Sequence, residues 1–196
     1  MTGITIQINQ QQLDEVYALL ANIQGGAERA IRTSLNRTLD GAVALTAKRI
    51  GETVTLKAAM IKDNITRERA TNYALGAALR MKSERMPLAA FTTNPTAANM
   101  QINNQGNGVS VKVFNTKSPV RFRHAFFAQM PGGYIGLFER KGLKRLPIEE
   151  MKGPSLASIY QNTPGLGAEI EQTSADRLLR ELATQTDYLL GLAANG

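Results

Sequence analysis

The stretch Gly132–Ser155, GGYIGLFERKGLKRLPIEEMKGPS, limits the fold more than any other part of the chain. Tyr134, Gly136, Phe138 and Arg140 would share one face of an extended segment and Ile135, Leu137 and Glu139 the other, the pattern of a largely buried strand. Gly142 is expected to supply a turn by taking positive φ, returning the chain as a second strand from Leu143 to Ile148. Pro147 has no N–H to donate, so that return strand must be short or lie at a sheet edge. Gly153, Pro154 and Ser155 then break the strand pattern and fit the start of a helix.

Other parts of the chain supply the packing for such a hairpin. Ile4, Ile6 and Ile8 alternate as a short strand that another subunit could complete, and helical spacing follows from Gln11 to Ile23 until Gly25-Gly26. A longer helix is expected from Ala27 to Ile50, then a short one over Leu56–Ile65 with Thr55 as its N-cap, and Thr66 to Ala70 leading into the sheet. Residues 71–82 and Met86–Phe91 read as strands, Thr92–Pro95 as a turn and Asn103–Gly108 as a hairpin loop. Val109, Val111 and Val113 alternate as a half-buried strand, and Ala125–Met130 fits a strand or one helical turn before the Met130–Gly133 turn. A helix over Leu156–Tyr160 precedes a last one from Glu169 to Leu192, with Ile170, Leu178, Leu179, Leu182, Leu189 and Leu192 on one side. Helices, then strands, then helices indicate an α+β fold: N-terminal helices over 1–66, a central antiparallel sheet with a basic hairpin over 71–148, and helices over 155–192, as one domain spanning 1–196.

Composition narrows function mainly by exclusion. No Cys is present, which removes thiolate chemistry and disulfides and suits assembly in a reducing bacterial cytoplasm. Neither a signal segment nor an apolar run long enough to span a bilayer is seen. His124 is the only histidine and reads as a surface or loop residue. Glu149 and Glu150, adjacent in sequence, diverge on a helix or a strand and read as a solvated turn. Ser155 and Ser158 have no identifiable base, and Gly165-Leu166-Gly167 lacks the grammar of a phosphate loop. No catalytic residue, metal or cofactor is expected, and no heptad runs long enough for a coiled coil.

Charge is the positive signal. The chain carries net +7, divided as +3 over residues 1–84, +8 over 85–148 and −4 over 149–196. Lys117, Arg121 and Arg123 fall in one loop, and Arg140, Lys141, Lys144 and Arg145 at the hairpin, with Glu139 as the only acid among them. An acidic protein surface or nucleic-acid phosphates would relieve their mutual repulsion, and the absence of a recognition motif would make any DNA contact insensitive to sequence. These seven are the candidate interface or phosphate-contact residues; Gly142, Pro147, Gly153 and Pro154 are the candidate structural turns. A non-specific nucleic-acid-binding protein acting through the basic hairpin is the alternative reading.

The run Phe138-Glu139-Arg140-Lys141-Gly142, then Arg145-Leu146-Pro147-Ile148, then Gly153-Pro154-Ser155 resembles the F-x-R-x-G…R-L-P-I…G-P-S signature of the prophage minor tail protein Z family. Leu35-Asn36-Arg37, the Pro87-Leu88 to Phe91 run, Asn94-Pro95-Thr96-Ala97 and Ala125-Phe126-Phe127 agree in order, so the likeness covers most of residues 27–162. Residues 1–24 and the C-terminal helix carry no matching motif. The resemblance implies a structural protein of a long-tailed phage virion that completes the head-proximal end of the tail tube, joins it to the head and helps position the DNA end. It further implies a homo-oligomeric ring with tail-tube and neck or connector proteins as partners, no membrane and no enzymatic step.

Overall fold

The computed structural model describes residues 2–91, 108–142 and 144–194. Strand β1 (Thr2–Gln7) leads into α1 (Gln10–Leu19), which starts at a reciprocal cap: Gln12 N donates to Asn9 Oδ1 at 2.8 Å and Asn9 N to Gln12 Oε1 at 3.3 Å. Gly25, at φ 65°, turns the chain into α2 (Gly26–Thr53), and the left-handed conformation there is one that glycine adopts without steric cost. Small and branched residues recur through α2, and Ala30, Ile31, Leu35, Leu39, Ala42, Val43, Ala47 and Ile50 are all buried. Its length, 28 residues, makes it about 42 Å long.

Two further helices follow the sheets: α4 (Leu156–Gln161), capped by Ser155 Oγ accepting from Ser158 N at 3.1 Å, and α5 (Leu166–Ala194). Helix α5 packs along α2. The two run antiparallel, since Arg49 pairs with Glu169 and Arg37 with Glu181 at 3.4 Å, late residues of α2 meeting early residues of α5. Ile170, Leu178, Leu182 and Leu189 are buried as expected, whereas Leu179 and Leu192 are about half exposed, because the buried stripe drifts around the helix to follow α2.

The fold is α+β in class, and among the described residues its strands are divided among four small antiparallel sheets. In the first, β3 (Gly76–Met81) lies between β1 and β2 (Ile65–Glu68), with Ile4 opposite Leu79 and Ile65 opposite Met81. Strand β1 pairs with β3 on one side and is an edge of this sheet, and Thr66–Glu68 is part of the sheet itself. The short helix α3 (Ala58–Asp63) starts later than expected. Lys57, not Thr55, occupies its cap position, because the Thr55 hydroxyl donates to Asn115 Oδ1 at 3.0 Å.

A two-stranded sheet pairs β4 (Arg85–Pro87) with β10 (Lys152–Ser155). The strand expected over Met86–Phe91 ends at Pro87, and Leu88–Phe91 forms a 3-10 turn with Leu88 and Phe91 buried. Strands β5 (Val109–Val111) and β6 (Val120–Phe122) pair after Gly108, whose φ is 68°. The fourth sheet has the order β7-β8-β9, from Phe126–Gln129, Ile135–Arg140 and Ile148–Glu150. Buried side chains from the helices and from strands of all four sheets form one apolar cluster. The turn expected at Thr92–Pro95 and most of the loop expected at Asn103–Gly108 lie outside the described residues.

Candidate assembly surface

The hairpin is built from its buried middle outward. Gly136, Leu137 and Phe138 anchor β8 in the core, while Glu139 and Arg140 emerge into solvent. Before it, Gly132 and Gly133 take φ 91° and 85°, and Met130 N donates to Tyr134 O at 2.7 Å, which closes the expected β7–β8 turn. After Arg140 the chain does not return at once. Residues 141–142 and 144–147 lie outside any strand, and the return strand β9 begins only at Ile148, opposite Arg140.

Three expectations change there. Gly142 does not take positive φ and has open space around its Cα, so the reversal is spread over a longer loop and does not depend on glycine. The expected strand from Leu143 starts five residues late, since Pro147 cannot join a ladder; β9 is both short and a sheet edge, as that proline requires. Glu149 and Glu150 lie in β9 and not in a solvated turn, each used by a neighbour: Lys141 Nζ sits 3.0 Å from Glu149 Oε2, and the Tyr134 hydroxyl donates to Glu150 Oε1. Partial burial and that bond push the Tyr134 phenol up to about 12.

Gly153 and Pro154 are also reassigned, from a turn to strand β10. Arg85 fastens that strand, its Nε donating to Gly153 O at 3.1 Å and its Nη2 to Lys152 O at 2.9 Å. Gly153 is required for close approach, because a Cβ there would lie 2.7 Å from Phe91 Cε2.

The structure brings only part of the basic set together. Arg140 stacks over the Phe126 ring at 5.0 Å from its centroid, and Lys117 over Phe114 at 5.1 Å. Phe114 bridges to Val54 just past the end of α2, so Lys117 belongs to that corner. Arg121 lies on β6 and not in a loop, Arg123 and the exposed His124 follow it, and Lys144 and Arg145 sit at the loop tip beside exposed Leu146.

Between the hairpin and the β4–β10 pair runs an open groove of about 930 Å³. Arg85, Arg140, Lys141 and Lys152 line it together with Glu139, Glu149 and Glu150, so its charge is nearly balanced, unlike the strongly cationic patch expected from sequence. Phe122 of β6 closes one wall. A second basic surface, along α2 and α5, was not legible in the linear charge count: Arg177 and Arg180 lie in the segment that carries net −4. Helical spacing of Arg29, Thr33 and Arg37 was the signal that could have found it.

Among the described residues no group of three or more His, Asp or Glu is placed to hold a metal ion, and no helix is long and apolar enough to cross a membrane. Comparison with protein families places the chain among the structural tail components of phages, not among enzymes. It belongs to the prophage minor tail protein Z family, whose model matches residues 12–192. The match begins inside α1 and covers nearly all of α5, further than the sequence motifs reach, and implies a virion location and contacts with other tail proteins. Curated proteins and solved structures yield no significant match.

Proposed function

We propose that this tail protein completes the head-proximal end of the tail tube as a ring of copies, each acting as one α+β unit, and takes part in joining tail to head and positioning the DNA end. Assembly takes place in the host cytoplasm, before the protein enters the virion. The 141–147 loop is the contact that seats each copy on a neighbouring tail or neck protein. One observation carries this assignment: Lys144, Arg145 and Leu146 stand exposed at the tip, while the loop base is fixed by Lys141 N donating to Pro147 O at 3.2 Å and by the Lys141–Glu149 pair. Among the described residues neither Lys144 nor Arg145 has an ion pair, so both are available to an acidic partner, whose charge would set register and partner choice.

The test joins two measurements on a Lys144→Glu, Arg145→Glu variant. Exposed charges contribute less than about 1 kcal/mol per pair to folding, so thermal unfolding should match the wild type. Joining of tails to heads in extracts lacking the wild-type protein should fail. Normal joining, or an unfolded variant, refutes the role given to the loop.

A further inference from the structure

Helices α2 and α5 present a surface that none of the foregoing uses. Arg29, Thr33 and Arg37 succeed one another every fourth residue along α2, facing Thr184, Gln185 and Tyr188 of α5 across an open depression of about 430 Å³. A second depression of about 390 Å³ shares Thr184 and adds Arg177, Arg180 and Glu181, so the two form one track.

The electrostatics of the track are one-sided. Its four arginines are opposed by a single acid, Glu181, which is itself divided between Arg37 at 3.4 Å and Arg177 at 3.5 Å. Arg29 and Arg180 are exposed and have no ion pair among the described residues. Arg177 is held in place by shape: its guanidinium lies on α2 at Gly41, where a Cβ would come within 2.6 Å of Cζ, and its Nε is buried without a hydrogen-bond partner. Glycine at position 41 therefore lets an arginine lie flat against α2, with Nη1 over the glycine and Nη2 3.5 Å from Glu181 Oε1 on the track.

We propose that this α2–α5 track binds the phosphodiester backbone of a nucleic acid without reading its sequence. Guanidinium forks and hydroxyls are donors suited to phosphate oxygens, and the lining offers little of the buried apolar anchor on which a protein partner would depend. The track deepens the DNA-positioning part of the proposed function and rests on that reading. It assigns phosphate contact to the helices and protein contact to the 141–147 loop.

The experiment titrates a random-sequence duplex of about 30 base pairs with the purified full chain at several salt concentrations. Each phosphate neutralised contributes about 0.9 to the slope of log K against log salt, so four arginines predict a slope of roughly −3.6. Arg29→Gln with Arg180→Gln should reduce that slope by about 1.8 and weaken binding on the order of tenfold or more at about 0.1 M salt. Arg29→Lys with Arg180→Lys should keep most of the slope, which separates lost charge from lost structure. Lys144→Gln with Arg145→Gln should leave it unchanged. The proposal is overturned if the wild type fails to bind at low salt, if the glutamine variant binds like wild type, or if the loop variant carries the loss. Competition by polyglutamate as strong as by duplex at equal charge would likewise overturn it, in favour of an acidic protein surface. None of these readouts requires tail joining, so failure here is distinct from failure of the tail role.

Discussion

Substituting Gly153 by alanine should destabilise the protein, and the size of the effect can be worked from its surroundings. The added methyl would sit 2.7 Å from Cε2 and 3.1 Å from Cδ2 of Phe91, and 3.3 Å from Leu88 Cδ1, so something must shift. Neither side yields easily. Phe91 is 1% exposed and enclosed by the core, while the β10 backbone is held by its pairing to β4 and by both Arg85 hydrogen bonds. Overpacking of this kind costs about 1–3 kcal/mol, and the reduced freedom of the unfolded chain on replacing glycine returns about 0.4–1 kcal/mol. A net loss of about 1–2 kcal/mol remains, which for a chain of this size lowers Tm by roughly 2–8 °C. Gly142→Ala is the matched control: that residue has open space and no positive φ, so its Tm should not fall. Thermal and urea unfolding of both variants, with Phe91→Leu added to each, makes the assay a double-mutant cycle. Phe91→Leu should recover part of the Gly153→Ala loss and none of any Gly142→Ala effect. Equal stabilities for the two alanine variants, or additivity between Gly153→Ala and Phe91→Leu, would refute the close-approach argument.

Two further perturbations test local parts of the fold. Ser155→Ala removes the acceptor for Ser158 N and should cost about 1 kcal/mol in urea unfolding, while Ser155→Asn or Ser155→Asp should retain most of it. Tyr134 is raised in the folded state to about 12, so the stability it contributes is fully present below pH 10 and is lost as pH rises from about 10 toward 12. Tyr134→Phe should remove the highest tyrosine step from an ultraviolet titration and flatten the alkaline fall in stability; Tyr17 and Tyr160, also raised, would continue to titrate.

Strand β8 and the long helices were legible because one local rule covers each: alternation across a pleat, or apolar residues at three-and-four spacing. The α+β class followed from their order. What sequence could not supply was pairing. Whether the central strands form one sheet or four depends on which edges meet, and the Arg85–Ser155 and Lys152–Pro87 pairs join segments far apart in the chain. Gly153 was noticed for the wrong reason, since glycine looks alike in sequence whether it turns the chain or makes room for a phenylalanine. Asn36, in a motif matched only as letters, closes both of its amide groups on Ala70, donating from Nδ2 to O and accepting from N at 3.0 Å each. Thr55 illustrates competition: a sound local cap was lost to Asn115, a partner sixty residues away.

Charge shows most clearly why segment totals mislead. The segment with net +8 exposes less free cation than its count suggests, because Arg140 and Lys117 lie on aromatic rings and Lys141 is matched by Glu149 from the acidic segment. That acidic segment uses Glu169 on Arg49 and Glu181 on Arg37 and Arg177, leaving Arg180 without an ion pair among the described residues. Folding therefore exchanges acids and bases between segments, and among the described residues Lys144 and Arg145 at the loop tip and Arg29 and Arg180 on the α2–α5 track are exposed without an ion pair. The two lie on different elements, one an edge-strand loop and the other a helix pair locked by buried side chains. Each can thus be altered without touching the other, and the proposed function, which asks one tail protein to hold both a neighbour and a DNA end, needs two such independent surfaces.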